Sequence, residues 1–308
     1  MKTINLVNKE TSDIKFEVSS FPDGQKDIVI NPESLEGFKW CWIKARINNM
    51  EDLGILICAT KALRRLGVKM IHLYIPYLLG ARSDRQFQEG GTSYLVDVIA
   101  PILNAQNYEL ITVLDVHSNV APACINNLKM IDNSQLVAWS LSEIYPPRTP
   151  YSMDNFVLVS PDAGASHKIV KLAEKISYKG DIITCSKERD KDGKLTQTVV
   201  PLECNSRGDI GHNLGKDIII IDDICDGGRT FINIAERIIW RYEQNGFKKT
   251  DKQFPKIYLI VTHGIFSKGF AELNQYFDGI YCTNSYKDFS EYSEVGWDKT
   301  KLQQLNAF

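Results

Sequence analysis

The sequence has little that would staple, anchor or steer the chain. Its seven cysteines (Cys41, Cys58, Cys124, Cys185, Cys204, Cys225 and Cys282) are scattered, odd in number and never spaced as C-x-x-C. That excludes a small disulfide scaffold and points to a reducing compartment. No apolar run is long enough to span a bilayer, and the opening MKTINLVNKE lacks the hydrophobic stretch of a signal peptide. Charge of one sign is not in excess: 36 Lys and Arg against 38 Asp and Glu leave a net charge of -2, without a basic tail. No global field therefore draws the protein to nucleic acid or an anionic membrane. Low-complexity segments and short repeats are missing too. A cytoplasmic protein is expected, with neither nucleic acid nor membrane among its partners.

What is present is ordinary in proportion. The 308 residues are 44% hydrophobic, 24% charged and 10% aromatic, which excludes disorder and suffices for two sizeable cores. Short β-rich runs (FKWCWIKAR, KMIHLYIPY, ELITVLDV, NFVLVSPD, DIITCSK, KDIIIIDDI and KIYLIVTHG) alternate with amphipathic stretches. Helices are expected over Asp52 to Leu66, Ser93 to Leu103, Gln135 to Ile144, Ser166 to Ile176 and Thr230 to Tyr242. This alternation predicts an α/β fold with mainly parallel sheets and crossover helices. Tyr145-Pro146-Pro147-Arg148-Thr149-Pro150 can continue neither a helix nor a central strand, so a boundary is expected there, giving domains 1–149 and 150–308 of similar kind. The stretch Asn205 to Gly215, with His212, reads as a turn between strands.

Several expected strands end in polar residues: Asp115-Val116-His117, Ser160-Pro161-Asp162 and Asp222-Asp223. Ligands of open α/β sheets bind at the carboxyl ends of strands, so these side chains are candidates to converge on one cleft. The plainer alternative is that each acidic group caps the following helix. The most specific segment is KDIIIIDDICDGGRTF, Lys216 to Phe231. A buried strand delivers two adjacent carboxylates, and Asp226-Gly227-Gly228-Arg229-Thr230 then opens a helix. Glycines let the backbone approach an anion, the N–H groups at a helix start point at it, and paired carboxylates suit ribose hydroxyls. This segment resembles the ribose-phosphate loop of type I phosphoribosyltransferases and of the ribose-phosphate diphosphokinases, the phosphoribosyl pyrophosphate synthetases.

A second segment separates those relatives. YIPYLLGARSDRQFQEGGTSYLVDVIA from Tyr74 looks like the flag region of the synthetases, and DVHSN from Asp115 like their metal and ATP loop. FPDGQ at Phe21, the helix from Glu51, VSPDAGASHK at Val159 and SKERD at Ser186 match in order and spacing across nearly the whole chain. The chain is identified as a member of the ribose-phosphate diphosphokinase family rather than a phosphoribosyltransferase proper. The resemblance implies two phosphoribosyltransferase-like (type I) domains with the active site between them. It also implies a homo-oligomer, dimer or hexamer, with ATP at a subunit contact. Phe21, Asp23, Gln25 and His117, with Arg82 and Ser83 from a neighbour, would hold the co-substrate ATP. His117 and Asp162 would bind Mg²⁺, Lys187 and Arg189 would act as catalytic loop cations, and Asp222, Asp223 and Asp226 to Thr230 would bind the ribose phosphate. The chemistry wants these types, since moving a diphosphoryl group requires cations rather than a covalent nucleophile.

Three positions depart from the family pattern. Gln25 stands where most members have Glu, and Ser83 where most have Gln. The usual Asp-Thr-x-Gly-Thr reads Asp226-Gly227-Gly228-Arg229-Thr230, which removes a hydroxyl donor and clears space beside a 5-phosphate. The expected acceptor is ribose 5-phosphate. ADP-ribose, with a diphosphate ester at C5, is the alternative that the cleared space admits, its 1-diphosphate product serving NAD resynthesis. A non-catalytic regulatory subunit is the alternative from another class, and the joint retention of His117, Asp162, Lys187, Arg189, Asp222 and Asp223 speaks against it.

Overall fold

The computed structural model describes residues 2–146, 155–189, 195–201, 215–290 and 298–308, with backbone alone at 187–189, 195–198 and 299. Two compact units divide the chain: Met1–Asp132 with Ala307–Phe308, and Asn133–Asn306.

The first unit contains β1 (Lys2–Asn5), β2 (Phe16–Ser20), β3 (Lys26–Ile30), β4 (Trp40–Lys44), α1 (Met50–Arg65) and β5 (Met70–Tyr74). A π-helical turn, Tyr94–Ile99, runs into α2 (Ala100–Asn104), followed by β6 (Leu110–Leu114), α3 (Ala121–Cys124) and β7 (Leu128–Ile131). Five strands form a parallel sheet in the order β1-β4-β5-β6-β7, while β2 and β3 make a separate antiparallel hairpin. Helix α1 starts where Asn49 caps the N–H of Asp52, with Glu51 and Asp52 in a first turn that favours acids. Its apolar stripe of Leu53, Leu56, Ala59 and Leu63 is buried in one core with Cys41, Ile43, Ile71 and Leu73 of the sheet. The helix expected from Ser93 to Leu103 is π-helical in its first half, and Pro101 has no N–H to offer the carbonyl of Asp97.

The second unit contains α4 (Ser134–Ile144), β8 (Phe156–Ser160), α5 (Ala163–Lys175), β9 (Ile182–Thr184), β10 (Ser186–Arg189), β11 (Leu195–Val199) and β12 (Asp217–Cys225). They are followed by α6 (Arg229–Gln244), β13 (Ile257–Gly264), α7 (Leu273–Tyr276), β14 (Gly279–Thr283) and β15 (Leu302–Leu305). Its parallel sheet runs β15-β14-β13-β12-β8-β9, and β10 and β11 form an antiparallel hairpin. Alternation along β12 sets the two faces. Ile218 and Ile220 pack with Phe231, Ile234 and Ile238 of α6, whereas Ile219 and Ile221 pack with Leu136 and Val137 of α4 and Ile169 and Leu172 of α5.

That packing moves the expected boundary. Helix α4 buries its stripe against the second sheet, with Trp139 edge-on to Tyr281 at 6.0 Å, so the units divide after Asp132 rather than between 149 and 150. The last residues also belong elsewhere than expected: Phe308 lies edge-on to Tyr74 and under the guanidinium of Arg46 in the first unit. Pro147 to Pro150 lie outside the described residues, as does the expected turn with Cys204 and His212. The six described cysteines are free, and burial pushes the thiols of Cys41 and Cys282 up to about 12. Among the described residues no helix is long and apolar enough to cross a membrane.

Candidate active site

The second unit's strand order reverses once. The chain leaves β8 for β9 on one side and returns to place β12 on the other, which makes the β8/β12 junction a switch point. Register opens it further. β12 pairs with β8 only from Asp217 to Ile220 but with β13 as far as Cys225, and since β8 ends at Ser160, level with Ile221, Asp222 to Cys225 overhang its end. The acidic pair lies on this overhang. Asp223 continues the alternation of Ile219 and Ile221 and meets α5, where its buried carboxylate accepts from Lys168 Nζ at 2.6 Å. Asp222 is half-buried, and its Oδ1 accepts from the N–H of Asp223 at 2.9 Å. The two carboxylates expected to suit ribose hydroxyls thus make different contacts within the chain.

The glycine turn is braced by the segment after β13. Ser267 Oγ donates to Asp226 Oδ1 at 2.6 Å, while the N–H groups of Ile265 and Phe266 donate to the carbonyl of Cys225. Gly228 has φ +78° and sits before α6, and a Cβ there would lie 3.0 Å from Leu273 Cδ2. The backbone thus favours glycine at 228, and a Cβ there would also require Leu273 to shift. No side chain caps α6, and while the N–H of Phe231 donates to the carbonyl of Gly228 at 3.0 Å, those of Arg229 and Thr230 at the helix start have no side-chain cap. Arg229 turns outward to an exposed ion pair with Glu272 at 3.4 Å, and Thr230 is half-buried. Behind the turn, burial first and then nearby Asp222 hold the Cys225 thiol well above its usual range, which keeps it protonated and inert. At the end of β13, His263 Nδ1 lies 2.7 Å from Ser285 Oγ in a buried polar layer.

Asp162 is the N-cap of α5, its Oδ1 accepting from the N–H of Ala165 at 3.0 Å, as the plainer alternative anticipated. Lys187 and Arg189 lie on β10, paired antiparallel to β11 with a register shift between Glu188 and Arg189. Residues 190–194 lie outside the described residues.

In the first unit, Phe21, Asp23 and Gln25 share the tip of the β2-β3 hairpin. The N–H of Phe21 donates to Gln25 O, that of Gln25 to Asp23 Oδ1, and Gly24 turns the chain at φ +89°. All three residues are exposed, Phe21 by 50%. The flag is anchored at Gly80 (φ +84°), whose carbonyl accepts from the N–H of Ser83 at 2.8 Å. Arg82 is exposed beside it. Ser118 joins flag and DVHSN loop: its hydroxyl donates to Asp84 Oδ2 at 2.8 Å and accepts from the N–H groups of Val120 and Ala121. Next to it, Asp115 is buried at φ +41°, and His117 is exposed rather than a core histidine. The flag and this loop are therefore together, with the hairpin tip as a further exposed element of the same unit.

Among the described residues no three or more His, Cys, Asp or Glu side chains gather to hold a metal ion. His117 lies in the first unit and Asp162 in the second. Mg²⁺ keeps several waters and needs only one or two protein ligands beside substrate phosphates, so each of these residues would supply at most a single contact.

Two α/β units with parallel sheets, one ending in an acidic pair and a glycine turn at a switch point, define the class as a nucleotide- or sugar-phosphate-binding α/β enzyme. No protein-family model matches the chain. Relatives are nonetheless clear: the ribose-phosphate pyrophosphokinase of Fusobacterium nucleatum is 31% identical over 256 residues, 82% of this chain and 72% of that one. That of Mycoplasmopsis pulmonis is 29% identical over 263 residues, covering 85% and 72%. That of Pyrococcus abyssi is 24% identical over 261 residues, covering 84% and 79%. The chain belongs to the ribose-phosphate pyrophosphokinase family and is a transferase. In fold it is similar to the phosphoribosylpyrophosphate synthetase of Mycobacterium smegmatis, with a TM-score of 0.70 and 17% identity over 99% of this chain and 95% of that one.

Sequence reasoning missed Lys168, Ser118, Ser267 and Lys268. Lys168 sits inside the VSPDAGASHK match, and its distance in helix turns from the Asp162 cap is the available signal. Lys268 follows a buried strand with no periodicity to mark it.

Proposed function

We propose that the protein transfers the diphosphate of ATP to the anomeric C1 hydroxyl of ribose 5-phosphate, giving phosphoribosyl pyrophosphate and AMP. The observation that carries this reading is the overhang of β12, which presents Asp222, Asp223 and the glycine turn beyond the edge of β8. The uncapped start of α6 and residues Asp226 to Thr230 hold the 5-phosphate, and the acidic pair accepts from ribose hydroxyls. Phe21, Asp23, Gln25, Arg82, Ser83 and His117 bind ATP, the exposed Phe21 ring offering a face for the base. The C1 oxygen attacks the β-phosphorus, its proton is lost, the bond to the α,β-bridging oxygen breaks, and AMP leaves with that electron pair. Lys187 and Arg189 draw off charge as it develops on the transferred group. His117 and Asp162 would be the residues to hold Mg²⁺, which would supply charge neutralisation. The protein works in the cytoplasm as a homo-oligomer, dimer or hexamer. In support, the exposed large apolar side chains among the described residues all lie on the first unit except Val170 and Trp240.

ADP-ribose as acceptor is the second reading, favoured by position 227. The three atoms nearest to a Cβ there all belong to the flexible stem of Lys268, at 3.4 to 3.6 Å, so the nearest neighbour on that side is a side chain able to move for a larger ester at C5. Measuring AMP release with each acceptor separates the readings. Release with ribose 5-phosphate supports the first, and release with ADP-ribose alone supports the second. Release with neither leaves the non-catalytic subunit.

A further inference from the structure

Three cations flank the turn between β12 and α6, and they are not equivalent. Lys168 is held by Asp223 and Arg229 by Glu272. Lys268 makes no ion pair among the described residues. Its backbone is pinned to the turn: the preceding Ser267 donates its hydroxyl to Asp226 Oδ1 and its N–H to Asp226 O at 3.2 Å, and Gly269 follows at φ +71°. The stem then lies along the turn. Its Cγ, Cδ and Cε would stand 3.6, 3.4 and 3.5 Å from a Cβ on residue 227. Gly227, unlike Gly228, has no positive φ that demands glycine. The stem of Lys268 thus lies at van der Waals distance from the place where a side chain at 227 would begin, and a threonine there would carry two further heavy atoms beside that stem.

We propose that Lys268 is a specificity-determining residue of the acceptor site. Its ammonium replaces the absent hydroxyl at 227 as the donor to the phosphate ester on C5 of the acceptor ribose. This inference rests on the reading of Asp226 to Thr230 as the acceptor's phosphate site. The exchange is not neutral. A hydroxyl makes one short-range bond from a fixed place, whereas an ammonium makes charge-assisted bonds roughly twice as strong from the end of a flexible stem. Lys268 therefore follows a phosphoryl group set back from the turn, or one lengthened to a diphosphate. Gly227 and Lys268 form a matched pair, short at one position and long at the other.

Lys268→Met keeps the stem and removes the charge. In the full chain with saturating ATP, the KM for ribose 5-phosphate rises about tenfold, as expected for losing one charge-assisted phosphate contact, while kcat and the KM for ATP stay within about twofold. Lys268→Arg restores most of the affinity. Gly227→Thr alone weakens acceptor binding, and Gly227→Thr with Lys268→Gly recovers it, because the two changes are coupled through the same space. An unchanged acceptor KM in Lys268→Met overturns the inference, and so does an equal loss in kcat and both KM values, which marks a structural role. Calorimetric binding of ribose 5-phosphate and of ADP-ribose, without ATP, separates this from the reading beneath it. Weaker binding by Lys268→Met supports the inference even if AMP release fails. Binding of neither sugar by the unaltered protein removes the acceptor site and the inference with it.

Discussion

The two units share an architecture and differ in how they carry their candidate residues. The first sheet runs β1-β4-β5-β6-β7 without a reversal, so its edge offers no switch-point crevice, and its candidates ride on a hairpin tip, a flag and a loop. The second sheet reverses at β8, and its candidates sit on a strand end, a tight turn and a helix start. The surfaces follow the same split. Phe21, Arg82 and His117 are exposed, whereas Asp223 is 6% exposed and ion-paired, and Gly228 is buried against Leu273. A site welded into a sheet couples binding to folding; a site on exposed loops does not.

The sharpest way to break this comparison is Asp223→Ala. It leaves the Lys168 ammonium facing a half-empty buried site, so turnover is expected to fall by at least about 100-fold and stability by about 1–3 kcal/mol, read from steady-state rates and denaturant midpoints. An intact stability would contradict the welded site. Gly228→Ala comes next. Left-handed backbone costs a non-glycine residue about 1–2 kcal/mol, and Leu273 must also shift, so the melting temperature drops while acceptor affinity weakens. In the first unit the pattern should invert. Phe21→Ala is expected to raise the KM for ATP about tenfold, since base stacking contributes roughly 1–3 kcal/mol, while stability stays within about 0.5 kcal/mol. Ser118→Ala frees Asp84 and removes the acceptor of the Val120 and Ala121 N–H groups, which raises the KM for ATP a few-fold and costs stability about 1 kcal/mol.

The smallest effect is a pH dependence confined to the second unit. Burial raises the Asp217 carboxyl above the usual carboxylate range, against the opposing hydrogen bonds from Tyr145 and the N–H of Lys256. The folded protein thus holds that proton longer than the unfolded chain does, and this group's contribution falls as pH rises from the ordinary carboxylate value through the raised one. Asp217→Asn should flatten that slope in denaturation series, and an unaltered slope would assign it elsewhere.

Much of the frame is legible in the sequence because burial writes itself into composition. The run Ile218 to Ile221 is buried on both faces and reads as a central parallel strand, and the glycine turn after it marks the site by residue type alone. The β2-β3 hairpin is not legible in the same way, because its strands are mostly exposed and carry little apolar alternation, although Pro22-Asp23-Gly24 is a turn signal that marks it. Edge strands β7 and β15 escape for the same reason. Periodicity announces α4 as a helix but not which sheet it covers, which displaces the boundary. The overhang of β12, the division of labour between Asp222 and Asp223, and the stem of Lys268 along Gly227 are matters of register and distance that a single chain of letters does not encode.

The central claim is diphosphoryl transfer to a ribose held by the second unit. Its most direct test is ³¹P NMR of the complete reaction of protein, Mg²⁺, ATP and ribose 5-phosphate. The expected result is AMP formed in equal amount with a sugar that carries a coupled diphosphate at C1 and keeps its 5-phosphate. Formation of ADP with a sugar monophosphate, or of inorganic phosphate without a modified sugar, would contradict it.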